Sequence, residues 1–235
     1  MMDLSTETVP VPIKRSEIAG YIDHALLRAD ASEDDLALHC DVAKKEGFAS
    51  VCVAPIHVKS AVLRLSSSKV KVGTVIGFPL GFHDSEVKAF ETRRAIRDGA
   101  DELDVVVHVA ALKSGREQAV RDDLAQVRRA AEGRIVKAIL ETALLEPAEI
   151  ESGCRAAIDA RLDFVKTSTG FGPGGATLEA VRLMRATVGE RLGVKASGGI
   201  ADAAQALAFI ECGATRLGTS RSVEILDGLP SEVGE

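Results

Sequence analysis

Short β-branched runs alternate with longer amphipathic stretches along the whole chain, and that alternation limits the folds open to it. Strands are expected at Tyr21–Leu26, Ser50–Val53, Val70–Ile76, Glu102–Val107, Ile135–Glu141, Phe164–Thr167, Gly193–Ala196 and Thr215–Gly218. Between them, Glu33–Glu46, Asp84–Asp98, Gln118–Ala131, Ala148–Ala160, Thr177–Glu190 and Ala201–Cys212 carry apolar residues at helical spacing, with charges on the other face. Ser32 and Thr177 stand where helix caps belong, and Gly47, Gly99 and Gly213 stand where helices stop. The passage from helix into strand repeats as a phrase: EGFASV, DGADEL, CGATRL. Stacked βα units of similar length leave such a repeat.

Eight such units in 235 residues, with no linker or break in composition, predict one α/β domain over residues 1–235. The expected fold is a single (β/α)8 TIM barrel, with Pro12–Ala19 as a short extra N-terminal helix and flexible ends at 1–11 and 229–235. Layers of branched aliphatic side chains filling the barrel would account for an aromatic share of only 3%. A doubly wound open sheet competes, because Gly170 to Gly175 matches G-x-G-x-x-G after a strand. A dinucleotide site also needs an acidic residue about 20 positions on. Lys195 and Ser197 stand there instead, so that reading is dropped.

Composition narrows the partners. The net charge of −6 and the scarcity of aromatics argue against nucleic acid. No apolar run reaches membrane-spanning length, and Asp3 and Glu7 lie where a signal peptide would carry positive charge. Cys40, Cys52, Cys154 and Cys212 are far apart and form no C-x-x-C pair, as expected of buried thiols in a reducing cytoplasm. His24, His39, His57, His83 and His108 show no metal-binding spacing, so no metal or cofactor is expected.

Three lysines inside strand runs carry the most chemistry. Lys137, Lys166 and Lys195 are each 29 residues apart, one βα unit, which predicts equivalent places on three consecutive strands facing one lumen. Buried lysines are rare and costly, and neighbouring ammonium groups oppose one another's charge. Desolvation and like charge together favour a neutral amine able to attack a carbonyl. The competing structural reading has each lysine neutralising a carboxylate such as Asp104, Glu141 or Asp163. Asp104, inside an apolar strand, is a candidate proton carrier, and Asp23 a weaker one. TSTGFGPGG, SGGI and GTSRS follow the last three strands, where barrels of this kind bind phosphate through backbone N–H groups. The candidate substrate- and phosphate-binding set is Asp23, Lys137, Thr169, Gly170, Gly198, Gly199, Gly218 and Ser220.

The segments IDHALL, SVCVAP, VGTVIGFPLG, GADELDVVV, VKAILET, DFVKTSTGF, VKASGGI and RLGTS resemble successive strands of the deoxyribose-phosphate aldolase family, from about Ile22 to Leu226. The resemblance implies a metal-independent Schiff-base lyase that reversibly splits 2-deoxy-D-ribose 5-phosphate into D-glyceraldehyde 3-phosphate and acetaldehyde. It implies Lys166 as the imine-forming nucleophile, Lys195 as the neighbour that lowers its pKa and donates a proton, and Asp104 as the proton shuttle. It also implies phosphate near Gly170, Gly198, Gly199 and Ser220, and a homo-oligomer. The chain departs from the family pattern at Ala25, Ala54, His108 and Arg221, and its tail lacks the tyrosine some members carry. A sugar-phosphate binder of the same fold, an aldolase for another aldehyde pair, or a phosphosugar isomerase are the alternatives. The isomerase leaves the three lysines unexplained.

Overall fold

Alternation of the predicted kind leads to eight strands, β1 (Ile22–Leu26), β2 (Ser50–Val53), β3 (Lys71–Ile76), β4 (Glu102–Val106), β5 (Ile135–Ile139), β6 (Phe164–Lys166), β7 (Gly193–Ser197) and β8 (Arg216–Thr219). In the computed structural model, which describes residues 14–229, they close in sequence order into a parallel barrel, β8 returning to β1. The ends expected to be flexible lie outside the described residues, apart from Leu229. Ten helices surround the barrel among the described residues: α1 (Arg15–Ala19), α2 (Glu33–Glu46), α3 (Val58–Leu65), α4 (Ser85–Arg97), α5 (Val109–Lys113), α6 (Glu117–Ala130), α7 (Pro147–Asp159), α8 (Leu178–Val188), α9 (Ala203–Glu211) and α10 (Ser222–Asp227). α1 supplies the extra N-terminal helix, and Arg15 ties it to Glu46 in α2 and Asp227 in α10. None of these helices is long and apolar enough to cross a membrane.

The repeated phrase has a physical cause. Gly47, Gly99 and Gly213 take positive φ of 72°, 103° and 102°. In each case the next residue's N–H turns back to a helix carbonyl five residues earlier: Phe48 to Ala43, Ala100 to Ala95, Ala214 to Phe209. This is the Schellman closure of a helix, which satisfies its last carbonyls and aims the chain at the following strand.

The aliphatic side chains do not fill the lumen, contrary to expectation. Pairing across the barrel puts Val51, Val72, Leu103, Val136, Val165, Val194 and Leu217 on the outer face, where they join the helices in the principal apolar core. The inward face carries Asp23, Glu102, Asp104, Lys137, Lys166, Lys195 and Arg216, together with Phe164 and a few small or apolar residues. Gly193 leaves space for Phe164: a Cβ there would lie 2.1 Å from its ring. The scarcity of aromatics therefore reflects a helix–sheet layer packed with Val, Leu, Ile and Ala.

One charged pair belongs to the outer layer. Lys88 of α4 is fully buried, and its Nζ donates to the Val106 carbonyl at 2.9 Å and to Asp123 of α6 at 2.6 Å. Ser85 donates to the other Asp123 oxygen at 2.7 Å. Asp123→Ala would strand a buried ammonium, and we expect it to destabilise the fold by about 3–5 kcal/mol, read from the denaturant midpoint. A shift under about 1 kcal/mol would show that the pair is dispensable.

Candidate active site

Sheet register decides which charged groups meet. Lys166 and Lys195 are direct partners across β6 and β7, as equal spacing predicts. Lys137 pairs with Phe164, two residues before Lys166, and with Asp104 on β4; because barrel strands tilt, this register places it in one layer with Lys195 and Asp23.

Asp104 is the hub. Its Oδ1 accepts from Lys137 at 2.9 Å, and its Oδ2 accepts from both Lys166 and Lys195 at 2.8 Å. Asp23 accepts from Lys195, from Arg216 at 2.6 Å and from Ser50 at 2.6 Å, with Lys137 at 3.5 Å. Glu102 accepts from Lys137 at 2.6 Å and lies 3.4 Å from Arg216. Three carboxylates thus face four cations. Lys137 has three carboxylates within reach and Lys195 and Arg216 have two each, but Lys166 has one, already shared. The group that most easily loses its proton is Lys166.

The pKa directions follow that count. Burial pushes the Lys166 amine down, and the Lys195 charge adds to it, so that Asp104 does not restore the ordinary lysine value. Burial also opposes charge on Lys195 and Lys137, but their carboxylates outweigh it and hold both above the usual range. Burial would raise Asp104, yet the three lysines hold it well below ordinary carboxylates. The carboxylates offered as alternative lysine partners are only partly such. Asp163 binds Arg128 at 2.7 Å, and Glu141 accepts from the Thr169 hydroxyl.

Above this network a cavity of about 660 Å³ opens at the carboxyl ends of β1, β6, β7 and β8. Lys166, Lys195, Asp23 and Cys52 form its floor, and Thr169, Gly170, Gly198, Gly199, Gly218 and Ser220 line it. Lys137 is not among the lining residues and stands beside them in the charge network, with Asp23, Glu102 and Asp104 in reach. Asp104 is fully buried beside Lys166 and bonded to both floor lysines. Gly170, Gly198 and Gly199 have φ of 84°, 88° and 81°, a backbone state that suits glycine. Gly218 makes room for chemistry, since a Cβ there would lie 2.9 Å from Lys195 Cε. Gly175, the last glycine of the false dinucleotide motif, docks the β6 loop on the β7 loop: its Cβ would fall 2.1 Å from the Gly198 carbonyl oxygen.

Several lining or supporting residues escaped the sequence reading. His39 lines the cavity and stacks on His24, with ring centroids 3.6 Å apart, and burial pushes them down to about 4 and about 3. Both are therefore neutral near pH 7. Glu141 takes a left-handed φ of 59°, ends β5 early and anchors the Thr169 loop. Phe171 of that loop meets Phe78 edge-on at 5.3 Å across the barrel mouth. Arg216 reaches the network from β8. Glu141, Phe171 and Arg216 each find their partner on a different βα unit, so no local pattern flags them. Of the four departures, Ala25 and Arg221 line the cavity, whereas Ala54 and His108 do not; His108 caps α5 through Nδ1.

Comparison with known proteins agrees with this geometry. Residues 18–218 match the family described as DeoC/LacD family aldolase. A deoxyribose-phosphate aldolase of Thermococcus kodakarensis is 50% identical over 224 residues, covering 94% of this chain and 100% of its own. The crystal structure of a putative deoxyribose-phosphate aldolase from Coccidioides immitis superposes with a TM-score of 0.90 at 40% identity, over 92% of this chain and 87% of that one. That of deoxyribose phosphate aldolase from Aeropyrum pernix, described as a unique tetrameric structure, gives 0.87 at 32% identity, over 93% of each chain. With its paired lysines on a closed eight-stranded barrel, the chain belongs to the DeoC/LacD family of aldolases.

Proposed function

We propose that this protein is a Schiff-base lyase that reversibly cleaves 2-deoxy-D-ribose 5-phosphate to D-glyceraldehyde 3-phosphate and acetaldehyde. The observation that carries the reading is Lys166: a buried, under-compensated amine at the floor of an open cavity. Its neutral form attacks the aldehyde carbon of the open-chain sugar, and the carbinolamine loses water to a protonated imine. The C3 hydroxyl then gives up its proton, the C2–C3 bond breaks and its electron pair flows into the imine, leaving an enamine and the phosphorylated aldehyde. Protonation at C2 and hydrolysis release acetaldehyde and restore the amine.

Lys195 fits proton delivery, because it is charged, lines the cavity and shares Asp104 Oδ2 with Lys166. Asp104, bonded to both, fits a relay between the two lysines. The backbone of Gly170, Gly198, Gly199 and Ser220 suits a phosphate at the far wall. Ala25 at the cavity wall favours, as a second reading, a different aldehyde pair for the same chemistry. A homo-oligomer in the cytoplasm fits the tetrameric Aeropyrum pernix relative and the four free cysteines.

Incubation with acetaldehyde followed by borohydride reduction is expected to leave a stable N-ethyl group on Lys166, seen by peptide mass spectrometry. No adduct on Lys166, or one confined to surface lysines, overturns the reading.

A further inference from the structure

Arg216 lies in the lumen but not on the cavity that holds the nucleophile. Its side chain is 14% exposed, and its guanidinium stands over the Phe164 ring at 5.6 Å. Two chains of ion pairs run from it to Asp104. One passes through Asp23 and Lys195, the other through Glu102 and Lys137. The remaining inward positions add no further charge to the network: β2 offers Ser50 and a neutral Cys52 whose thiol burial pushes up, and β3 offers Gly73 and Val75, with Lys71 exposed at its start.

We propose that Arg216 is a positioning residue for the nucleophile: as a fixed fourth cation against three carboxylates, it keeps Lys166 in its neutral, reactive form. An arginine does not lose its proton at any working pH, whereas each lysine can. With Arg216 in place, Asp23 and Glu102 are partly satisfied from below, so Lys195 and Lys137 remain available to Asp104, and Lys166 is the cation in excess. Without Arg216, Lys195 and Lys137 are drawn toward Asp23 and Glu102. Asp104 then has only Lys166 to balance it, and the proton stays on. This rests on Lys166 as the imine-forming residue, but the charge argument itself concerns only that amine.

The test reads the amine directly. Trace acetylation of Lys166 by acetic anhydride is followed against pH on the folded full chain by peptide mass spectrometry, in wild type, Arg216→Met, Arg216→Lys and Arg216→Met/Glu102→Gln. Arg216→Met is expected to move the midpoint up by about one pH unit, roughly a tenfold slower acylation below it. Arg216→Lys stays near wild type, and the double variant returns toward it, because removing a carboxylate restores the excess of one cation. A merely structural role for Arg216 makes the double variant no better than the single. An unmoved midpoint in Arg216→Met, or a double variant shifted further upward, overturns the proposal. If Arg216→Met does not fold, Glu102→Gln alone decides: it is expected to lower the midpoint, and an unmoved or raised one overturns the proposal. Acylation reports the neutral amine whether or not the protein is an aldolase, and borohydride trapping tests that reading separately.

Discussion

Lys166→Ala is expected to reduce turnover of 2-deoxy-D-ribose 5-phosphate by about 10⁴–10⁶-fold, the scale on which a covalent nucleophile is lost. Neither neighbour can replace it. Lys137 does not line the cavity and is held charged by three carboxylates, and Lys195 is held charged by Asp23 and Asp104. The fold itself should not suffer. Removing Lys166 leaves three carboxylates against three cations, with Asp104 still bound by Lys137 and Lys195. We therefore expect a denaturation midpoint within about 1 kcal/mol of wild type, beside the lost turnover. A steady-state assay in which the variant keeps more than about one per cent of the activity would remove Lys166 from the mechanism.

Lys195→Leu should lower kcat/KM at pH 7 by about 10²–10⁴-fold, the usual weight of a positioned proton donor. A second effect shows in the pH profile. Lys195 is one of the causes that depress Lys166; without it the Lys166 amine titrates at higher pH. Because the reactive form is the neutral one, activity is lost below that higher pKa and partly regained as pH rises through it. The acid limb of the profile thus moves to higher pH, while the plateau stays below wild type for want of the donor. Full activity in this variant, or an unshifted limb, would contradict the assigned role.

Much of this was legible in the chain. The eight strands are found within a few residues of their expected bounds, and the capping residues Ser32 and Thr177 accept from Asp35 and Ala180 N–H groups as their positions suggest. α3, α5 and α10 were not foreseen. They are short, and VKSAVLRL in α3 is rich in residues that also suit strands. The β5 run ends early at Glu141 because that residue turns left-handed to hold the Thr169 loop, a tertiary demand with no local sign. The lumen was misjudged for a related reason. In a barrel both faces of a strand are covered, so Leu103 and Val105 facing the helices blend with Glu102 and Asp104 facing inward into one apparently buried run.

The sequence by itself determined the architecture, the glycine-rich mouth and the pairing of two lysines one βα unit apart, because these follow from local periodicity and turn chemistry. Only the tertiary structure decided which lysine is left least compensated. That depends on how Asp23, Glu102 and Asp104 are divided among four cations. Strand register seats Lys137 among three carboxylates, closure of β8 on β1 brings Arg216 to Asp23, and the charge left over falls on Lys166. Coulomb interactions depend on distance in space, and residues 23 and 216 become neighbours only when the barrel closes.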